Sequence, residues 1–403
     1  MSFQSTHSWT DDLPLCSFSG VGYATNKIYL EGMHRQEEHV YEDNYFRCNK
    51  DNVCLYMVFD GHEGIDATSF AYSGLAAELL LDQLNGKNTD EEIKEVLRQA
   101  FLAVENSYLA SLDDKVAERT GLQYEIPEEL TPYEVFQKYP RVVQKLRALN
   151  SELSCGTAVV LALVLGERLF VANVGNSRAL LCRTDENGVL RVIQLSVDHD
   201  LSNEDEILRL YNLGLRIEKS HGFRLGNQEN TRCLGNYLVK GGYKEFEELA
   251  CATEEPVIAE PEIHGGIQID ESCMFLLLMS SGLYKSLEEV KETEQVNKEI
   301  AQMVVSEFRV QTTLTGVAQA VVDKIVRLHH DKFMSPGGGT KSSKRPDITL
   351  LVRNFNHQMP NAAGSQFTSS PVTLSPNSQG TLHISFVYIY SEECWLNHFL
   401  TDD

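Results

Sequence analysis

Val58-Phe59-Asp60-Gly61-His62-Glu63-Gly64 is the stretch from which the fold of this chain is read. The apolar run at 55–59 predicts a buried strand, and Asp60-Gly61 ends it. A strand ending this way sets a carboxylate and a backbone carbonyl side by side at a sheet edge. That pair is the beginning of a site for a hard divalent ion, which needs several oxygens. On its own, Asp-Gly-His is more often a turn than a ligand set. The surrounding elements therefore have to decide between the two.

Working outward, residues 157–165, 169–174, 178–182 and 190–195 are β-rich runs. Gly166-Glu167 and Gly175-Asn176 separate the first three, and Asp185-Glu186-Asn187-Gly188 turns into the fourth. This spacing predicts an antiparallel meander. Residues 274–279 and 348–352 add two apolar strands. Helices are equally legible. Thr89-Asp90-Glu91-Glu92 is a capping box, and Ile93, Val96, Leu97, Ala100, Val104 and Tyr108 follow it at helical spacing. Ala67, Phe70, Ala71, Gly74 and Leu75 form a similar stripe just before it. Ser202 is the expected cap of a helix that carries Ile207, Leu210 and Tyr211 and closes at Gly214. Val296, Ile300, Met303 and Val304, then Val317, Val321, Ile325 and Leu328, mark two more. Strand runs interrupted by helix pairs fit antiparallel sheets packed together with helices outside, not a doubly wound parallel sheet.

At 403 residues the chain has room for one large domain or two smaller ones. Its net charge of −23 argues against nucleic-acid and anionic-membrane partners, which call for basic patches. No apolar run approaches the ~18 residues that span a bilayer. Nine cysteines without a C-x-x-C pair suit free thiols in a reducing compartment. The polar first eleven residues lack a signal-peptide core, so a cytoplasmic location is expected. Residues 334–345, with three successive glycines, read as a flexible loop within the domain. Residues 356–380, rich in Ser, Thr, Pro, Asn and Gln, read as disordered. The expected division is an N-terminal arm (1–16), a domain (17–355) and a disordered tail with a short apolar end (356–403). Ser370-Pro371 and Ser375-Pro376 make Ser370 and Ser375 candidate phosphorylation sites in that tail.

Further motifs recur in a fixed order: Glu42-Asp43, the Asp-Gly-His segment, Val171-Ala172-Asn173-Val174-Gly175-Asn176-Ser177-Arg178-Ala179, and Val197-Asp198-His199. Then come Thr231-Arg232-Cys233-Leu234-Gly235-Asn236, Ile258-Ala259-Glu260-Pro261-Glu262, Met279-Ser280-Ser281-Gly282-Leu283-Tyr284 and Asp347-Ile348-Thr349. This series resembles the type 2C family of metal-dependent serine/threonine protein phosphatases over residues 17–355. The resemblance implies an α+β fold, a four-layer αββα sandwich of two antiparallel sheets flanked by helix pairs, with a two-metal centre. It assigns metal ligation to Glu42, Asp60 and the Gly61 carbonyl, and the general acid to His62. Where the family carries further site aspartates, this chain has Asn176, Asn236, Ser281 and Pro346. Where the family carries its phosphate-binding arginine it has Glu38, with Arg35 three residues away.

Two divalent ions bring +4 of charge into one site, and each lost carboxylate leaves that charge less compensated. Ser281 offers a neutral hydroxyl and Pro346 offers no side-chain donor. Without both ions no bridging hydroxide forms to attack phosphorus. Glu38 sets a carboxylate where a phosphate dianion would land. The expected protein is therefore a pseudophosphatase in which Glu42, Asp60, Gly61 and His62 are vestigial. No cofactor is expected beyond a single weakly held Mg²⁺ or Mn²⁺.

Within the family, the stretches 8–16, 180–182, 258–265, 283–285, 318–323 and 349–355 resemble its non-catalytic, kinase-binding adaptors. That resemblance implies an adaptor that binds and regulates a MAP kinase kinase kinase signalling complex, in TGF-β and cytokine signalling. The implied partners are a TGF-β-activated kinase, a stress-activated MAP kinase and an inhibitor-of-apoptosis protein. Those adaptors hold the kinase through an aromatic helix near the C-terminus. The segment 382–400 does not align with it, although Trp395, Leu396, Phe399 and Leu400 suit one turn of an apolar helix face. The alternatives are an active Mn²⁺/Mg²⁺-dependent serine/threonine protein phosphatase, favoured by the intact Asp-Gly-His, and a domain that senses metal or phosphate without turnover.

Overall fold

The computed structural model describes residues 8–29, 35–81, 83–127, 129–217, 224–335 and 344–360. Two units are distinguished, Met1–Asn361 and Ala362–Asp403. The second, with Ser370, Ser375 and the apolar segment 382–400, lies outside the described residues.

In chain order the first unit contains β1 (Ser19–Ala24), β2 (Lys27–Tyr29), β3 (Arg35–Gln36), β4 (Asn44–Lys50) and β5 (Val53–His62). Helices α1 (Asp66–Leu80), α2 (Asp90–Ser111), α3 (Asp113–Tyr124), α4 (Pro132–Lys138) and α5 (Pro140–Leu153) follow. Next come β6 (Gly156–Leu165), β7 (Arg168–Val174), β8 (Arg178–Thr184), β9 (Leu190–Gln194), α6 (Glu204–Asn212) and β10 (Leu234–Gly235). The unit closes with β11 (Glu262–Gln268), β12 (Cys273–Met279), α7 (Ser281–Lys291), α8 (Val296–Phe308), α9 (Leu314–Met334), β13 (Lys344–Arg345) and β14 (Ile348–Asn354).

One sheet runs β1-β14-β12-β8-β9 and the other β11-β7-β6-β5-β4, with β10 on β6. All their pairings are antiparallel. The layers follow from the two-residue period of a strand. On β5, Leu55, Met57 and Phe59 face the helix pair α1 and α2, where Leu75, Leu97 and Phe101 meet them. The alternate residues Tyr56 and Val58 face the second sheet and pack with Leu181, Leu276, Leu278 and Leu351. Leu180, Leu277 and Leu350 point the other way, onto Val304, Val321 and Ile325 of α8 and α9. Central strands buried on both faces explain why these runs read as continuously apolar. The expected αββα sandwich is what the chain adopts.

Several expectations need correction. The runs at 157–195 do not form one meander: β6 pairs with β7 and β8 with β9, but β7 and β8 lie in different sheets. Gly175-Asn176 carries the chain across the sandwich, because both sheets need apolar partners on their facing sides and a flat four-stranded meander has none. Strand β5 does not stop at Asp60-Gly61. It stays paired through His62, opposite Gly156, and turns only at Glu63 and Gly64, where φ is 59° and 129°. The cap of α6 is Asn203, not Ser202, since the Asn203 side chain accepts from the Asp205 and Glu206 amides. Gly214 does close that helix, with φ of 92°. Helices α3, α4 and α5 had no counterpart in the sequence reading. They bury few side chains among the described residues, with none in α4, so core packing fixes little of their sequence. The expected loop at 334–345 is shortened at both ends. Helix α9 runs to Met334, and β13 pairs with β2.

Of the residues read as an arm, 8–16 are described, and several of them contact the domain. Leu13 lies against the helix-facing core, and Cys16 is buried between the sheets. The Asn49 amide on β4 donates to the Pro14 carbonyl at 3.0 Å.

Candidate functional site

The motif residues meet at one end of the sandwich. Asp60, Gly61 and His62 end β5, and Glu42 and Asp43 enter β4. Asn176 lies on the crossing turn, Ser281 begins α7, and Pro346-Asp347 enters β14. Gly61 is required by this convergence, because a Cβ there would stand 2.3 Å from the Glu42 carbonyl oxygen. Gly282 is under the same constraint, 1.9 Å from the Asp347 carbonyl oxygen. Asp60, His62, Asn176 and Ser281 line a cleft of about 190 Å³. Its mouth carries both signs of charge, with Arg224 and Lys285 drawn toward Glu229 at 3.8 and 3.7 Å.

Each surviving carboxylate already has an occupation within the protein. Asp60 Oδ2 accepts the Ser281 backbone N–H at 2.7 Å, so it sits on the positive N-terminal end of α7. Asp347 Oδ1 accepts from the Asn26 amide at 2.6 Å and from Asn26 Nδ2 at 2.8 Å. Its Oδ2 accepts from the Glu42 amide at 2.9 Å. Burial pushes the Glu42 carboxyl up, opposed by His39, whose Nδ1 is 3.5 Å from Glu42 Oε1. Asp43 Oδ2 accepts from the Thr349 hydroxyl at 2.6 Å, while the buried Oδ1 has no partner. Burial, then the neighbouring Asp60, hold the Asp43 carboxyl well above the usual range.

His62 packs against Gly156, where an added Cβ would stand 2.5 Å from Nε2, and that nitrogen has no hydrogen-bond partner. Burial lowers its pKa to about 4 despite the opposing charge of Asp60, so the ring is neutral at physiological pH. Asn236 takes a left-handed backbone (φ 58°) and donates to Asn227 Oδ1 at 2.9 Å and Gln228 Oε1 at 2.8 Å. Glu38 is turned away from the cleft. Its amide donates to Asn26 Oδ1 at 2.8 Å and its carboxylate pairs with Lys344. Arg35 lies in β3, opposite Tyr29.

Sequence reasoning missed the groups that fix this end of the molecule. Arg178 donates to Asp198 Oδ2 at 2.7 Å and lies 3.6 Å from the centre of the Tyr284 ring. Tyr284 in turn donates to the Asn176 carbonyl at 3.0 Å, tying the crossing turn to α7. Lys240 and Glu105 form a buried ion pair. Lys240 Nζ also donates to the Cys233 carbonyl at 2.8 Å, and Glu105 accepts the Gly235 amide at 2.8 Å. Glu206, buried beneath Arg209, Arg232 and Thr231, is held down to about 2: their hydrogen bonds outweigh the burial that opposes them. Asp43 and Asp347 were visible in the quoted motifs but carried no assigned role. Only their burial gives them one.

The fold family implies two divalent ions here, and the donors do not fit them. Pro346 brings no side-chain donor, Asp60 is engaged by an amide, and Asp347 is spent on Asn26 and Glu42. Among the described residues no three carboxylate, imidazole or thiol side chains converge as a metal centre would require.

Residues 131–328 match the family model of protein phosphatase 2C. A TGF-beta-activated kinase 1 and MAP3K7-binding protein 1 from Caenorhabditis elegans is 24% identical over 93% of this chain and 90% of its own length. A probable protein phosphatase 2C from Paramecium tetraurelia is 26% identical over 68% of this chain and 77% of its own. Among solved structures, the serine-threonine phosphatase 2C of Toxoplasma gondii superposes with a TM-score of 0.50 at 15% identity, covering 84% of this chain and 96% of that one. A sex-determining protein of C. elegans superposes with a TM-score of 0.53 at 15% identity, covering 88% and 67%. The chain has the type 2C phosphatase fold and is similar over nearly all its length to a kinase-binding protein. No helix among the described residues is long and apolar enough to cross a membrane.

Proposed function

We propose that this type 2C phosphatase-like chain is a catalytically inactive adaptor that binds and regulates a MAP kinase kinase kinase complex. The observation that carries the reading is the Asp60–Ser281 contact: the carboxylate that would hold metal caps α7 at 2.7 Å instead. Pro346 and Asn176 where the family has aspartates, and Glu38 where it has an arginine, support the same reading: carboxylate donors for two ions are short, and the cations at the cleft, Arg224 and Lys285, already face Glu229. The name of the C. elegans relative supports a TGF-β-activated kinase as the partner. A stress-activated MAP kinase and an inhibitor-of-apoptosis protein extend the proposal, as does a cytoplasmic setting. The retained His62 and Asp60 favour one rival, a working phosphatase.

The purified chain is expected to hydrolyse neither p-nitrophenyl phosphate nor phosphoserine peptides with Mn²⁺ or Mg²⁺, and to retain a MAP kinase kinase kinase in pull-down. Metal-dependent turnover near ~1 s⁻¹, abolished by Asp60→Ala, would falsify the adaptor reading.

A further inference from the structure

We propose that Cys16 and Cys54 form a peroxide-reactive dithiol, which closes to an intramolecular disulfide and fastens the N-terminal segment to β5.

The geometry brings the two thiols together. Cys16 is buried between the sheets, its Sγ 3.1 Å from the Tyr56 hydroxyl. Cys54 and Tyr56 are two residues apart on β5, so their side chains leave the strand on the same face. Cys54 packs against the same core that contains Cys16. From the opposite sheet, the Arg353 guanidinium lies 5.9 Å from the Tyr56 ring, 5.0 Å from Phe18 and 4.9 Å from Phe355. Among the described residues Arg353 hydrogen-bonds only the Asn354 carbonyl, and its Nε has no partner. A cation in an aromatic cage thus faces two thiols, the kind of surroundings that activate cysteine.

The pair is chemically unequal. A hydrogen bond from Cys54, another from Tyr56 and the charge of Arg353 outweigh burial and hold Cys16 below the usual thiol range. The same hydrogen bond, with burial, raises Cys54. Cys16 is therefore the thiolate and Cys54 the thiol that resolves it. Elsewhere burial drives Cys48, Cys182 and Cys233 up and raises Cys155 to about 11, keeping them protonated and poorly nucleophilic. The segment that carries Cys16 lies at the surface, with Leu15 and Phe18 69% and 56% exposed, while the Cys16 side chain itself turns inward.

The oxidant is hydrogen peroxide. The Cys16 thiolate attacks one peroxide oxygen, and the O–O bond breaks. Hydroxide leaves and takes a proton to become water, leaving Cys16 as sulfenic acid. Cys54 then gives up its proton and attacks the Cys16 sulfur. The S–O bond breaks, hydroxide leaves with that proton as a second water, and the disulfide remains. Two thiols and one peroxide give one disulfide and two waters.

The test treats the reduced full-length chain with equimolar hydrogen peroxide and maps peptides by mass spectrometry without reduction, with and without dimedone. The expected product is a linked pair of peptides containing Cys16 and Cys54, formed before the exposed Cys251 reacts. In Cys54→Ser, dimedone is expected to label Cys16; in Cys16→Ser, Cys54 is expected to stay unlabelled. Cys16 remaining a thiol while Cys251 oxidises, a disulfide to a different cysteine, or no adduct on Cys16 in Cys54→Ser would each overturn the proposal. The wild-type map needs no substitution, so a poorly folding variant leaves the test decisive.

Discussion

Replacing Asp60 with alanine distinguishes a carboxylate that holds a helix from one kept to hold a metal. In this structure Oδ2 accepts the first amide of α7 at 2.7 Å. A hydrogen bond to a charged group contributes about 1.5–3 kcal/mol net, and a charge at a helix end about 0.3–2 kcal/mol. These describe one contact counted two ways, so their joint worth is about 2 kcal/mol. The substitution also removes a negative charge beside Asp43. Asp60 is one of the charges that push the Asp43 carboxyl up, so its removal relieves a repulsion and offsets part of the loss. The balance is a loss of about 1–2 kcal/mol. With a denaturant slope of about 3 kcal/mol/M, the urea midpoint falls by roughly 0.5 M. The assay is equilibrium urea unfolding followed by circular dichroism, in chelator, with Asp60→Asn alongside; its amide oxygen still accepts, so part of the loss is recovered. A midpoint that rises in Asp60→Ala, as when a crowded ligand set is relieved, would refute the capping role.

Three further outcomes follow from buried groups. Burial, then Arg232, lowers His199 to about 3, so the folded state keeps it neutral while the unfolded chain takes up a proton below about 6.5. Its contribution is complete above that pH and is lost as pH falls toward 3, by about 2 kcal/mol between pH 6.5 and 5. Urea midpoints of His199→Gln should vary less with pH than wild type; the raised Glu42 and Asp43 act in the opposite sense but equally in both, and parallel profiles would sink the assignment. Glu105→Gln leaves Lys240 charged and buried and is expected to cost about 3–5 kcal/mol, whereas Glu105→Leu with Lys240→Met should recover most of it; equal losses in the two proteins count against the ion pair. Gly282→Ala drives a Cβ to 1.9 Å from a backbone oxygen and is expected to cost more than about 3 kcal/mol in thermal or urea unfolding. A near-neutral alanine would disprove the close approach of α7 to β14.

The sequence by itself determined what local chemistry writes. The Thr89–Glu92 capping box forms as expected, because both partners lie within one turn. The stripes at Ile93–Leu97–Ala100–Val104 and at Val317–Val321–Ile325 mark faces that are buried, because a helix that hides one side must repeat its apolar residues every three or four positions. The ordered motifs named the sandwich. Tertiary structure alone decided the rest. Whether Gly175-Asn176 closed a hairpin or crossed between sheets depended on which faces found apolar partners, which no local spacing records. Asp43 and Asp60 look alike as sequence letters. One is an enclosed acid with an unpartnered oxygen and the other is a cap on α7, because a carboxyl group's behaviour is set by the burial and amides around it. Ser281 could be seen to lack a carboxylate. That its backbone would occupy the carboxylate left behind could not, since residues 60 and 281 meet only when two sheets and a helix pack together.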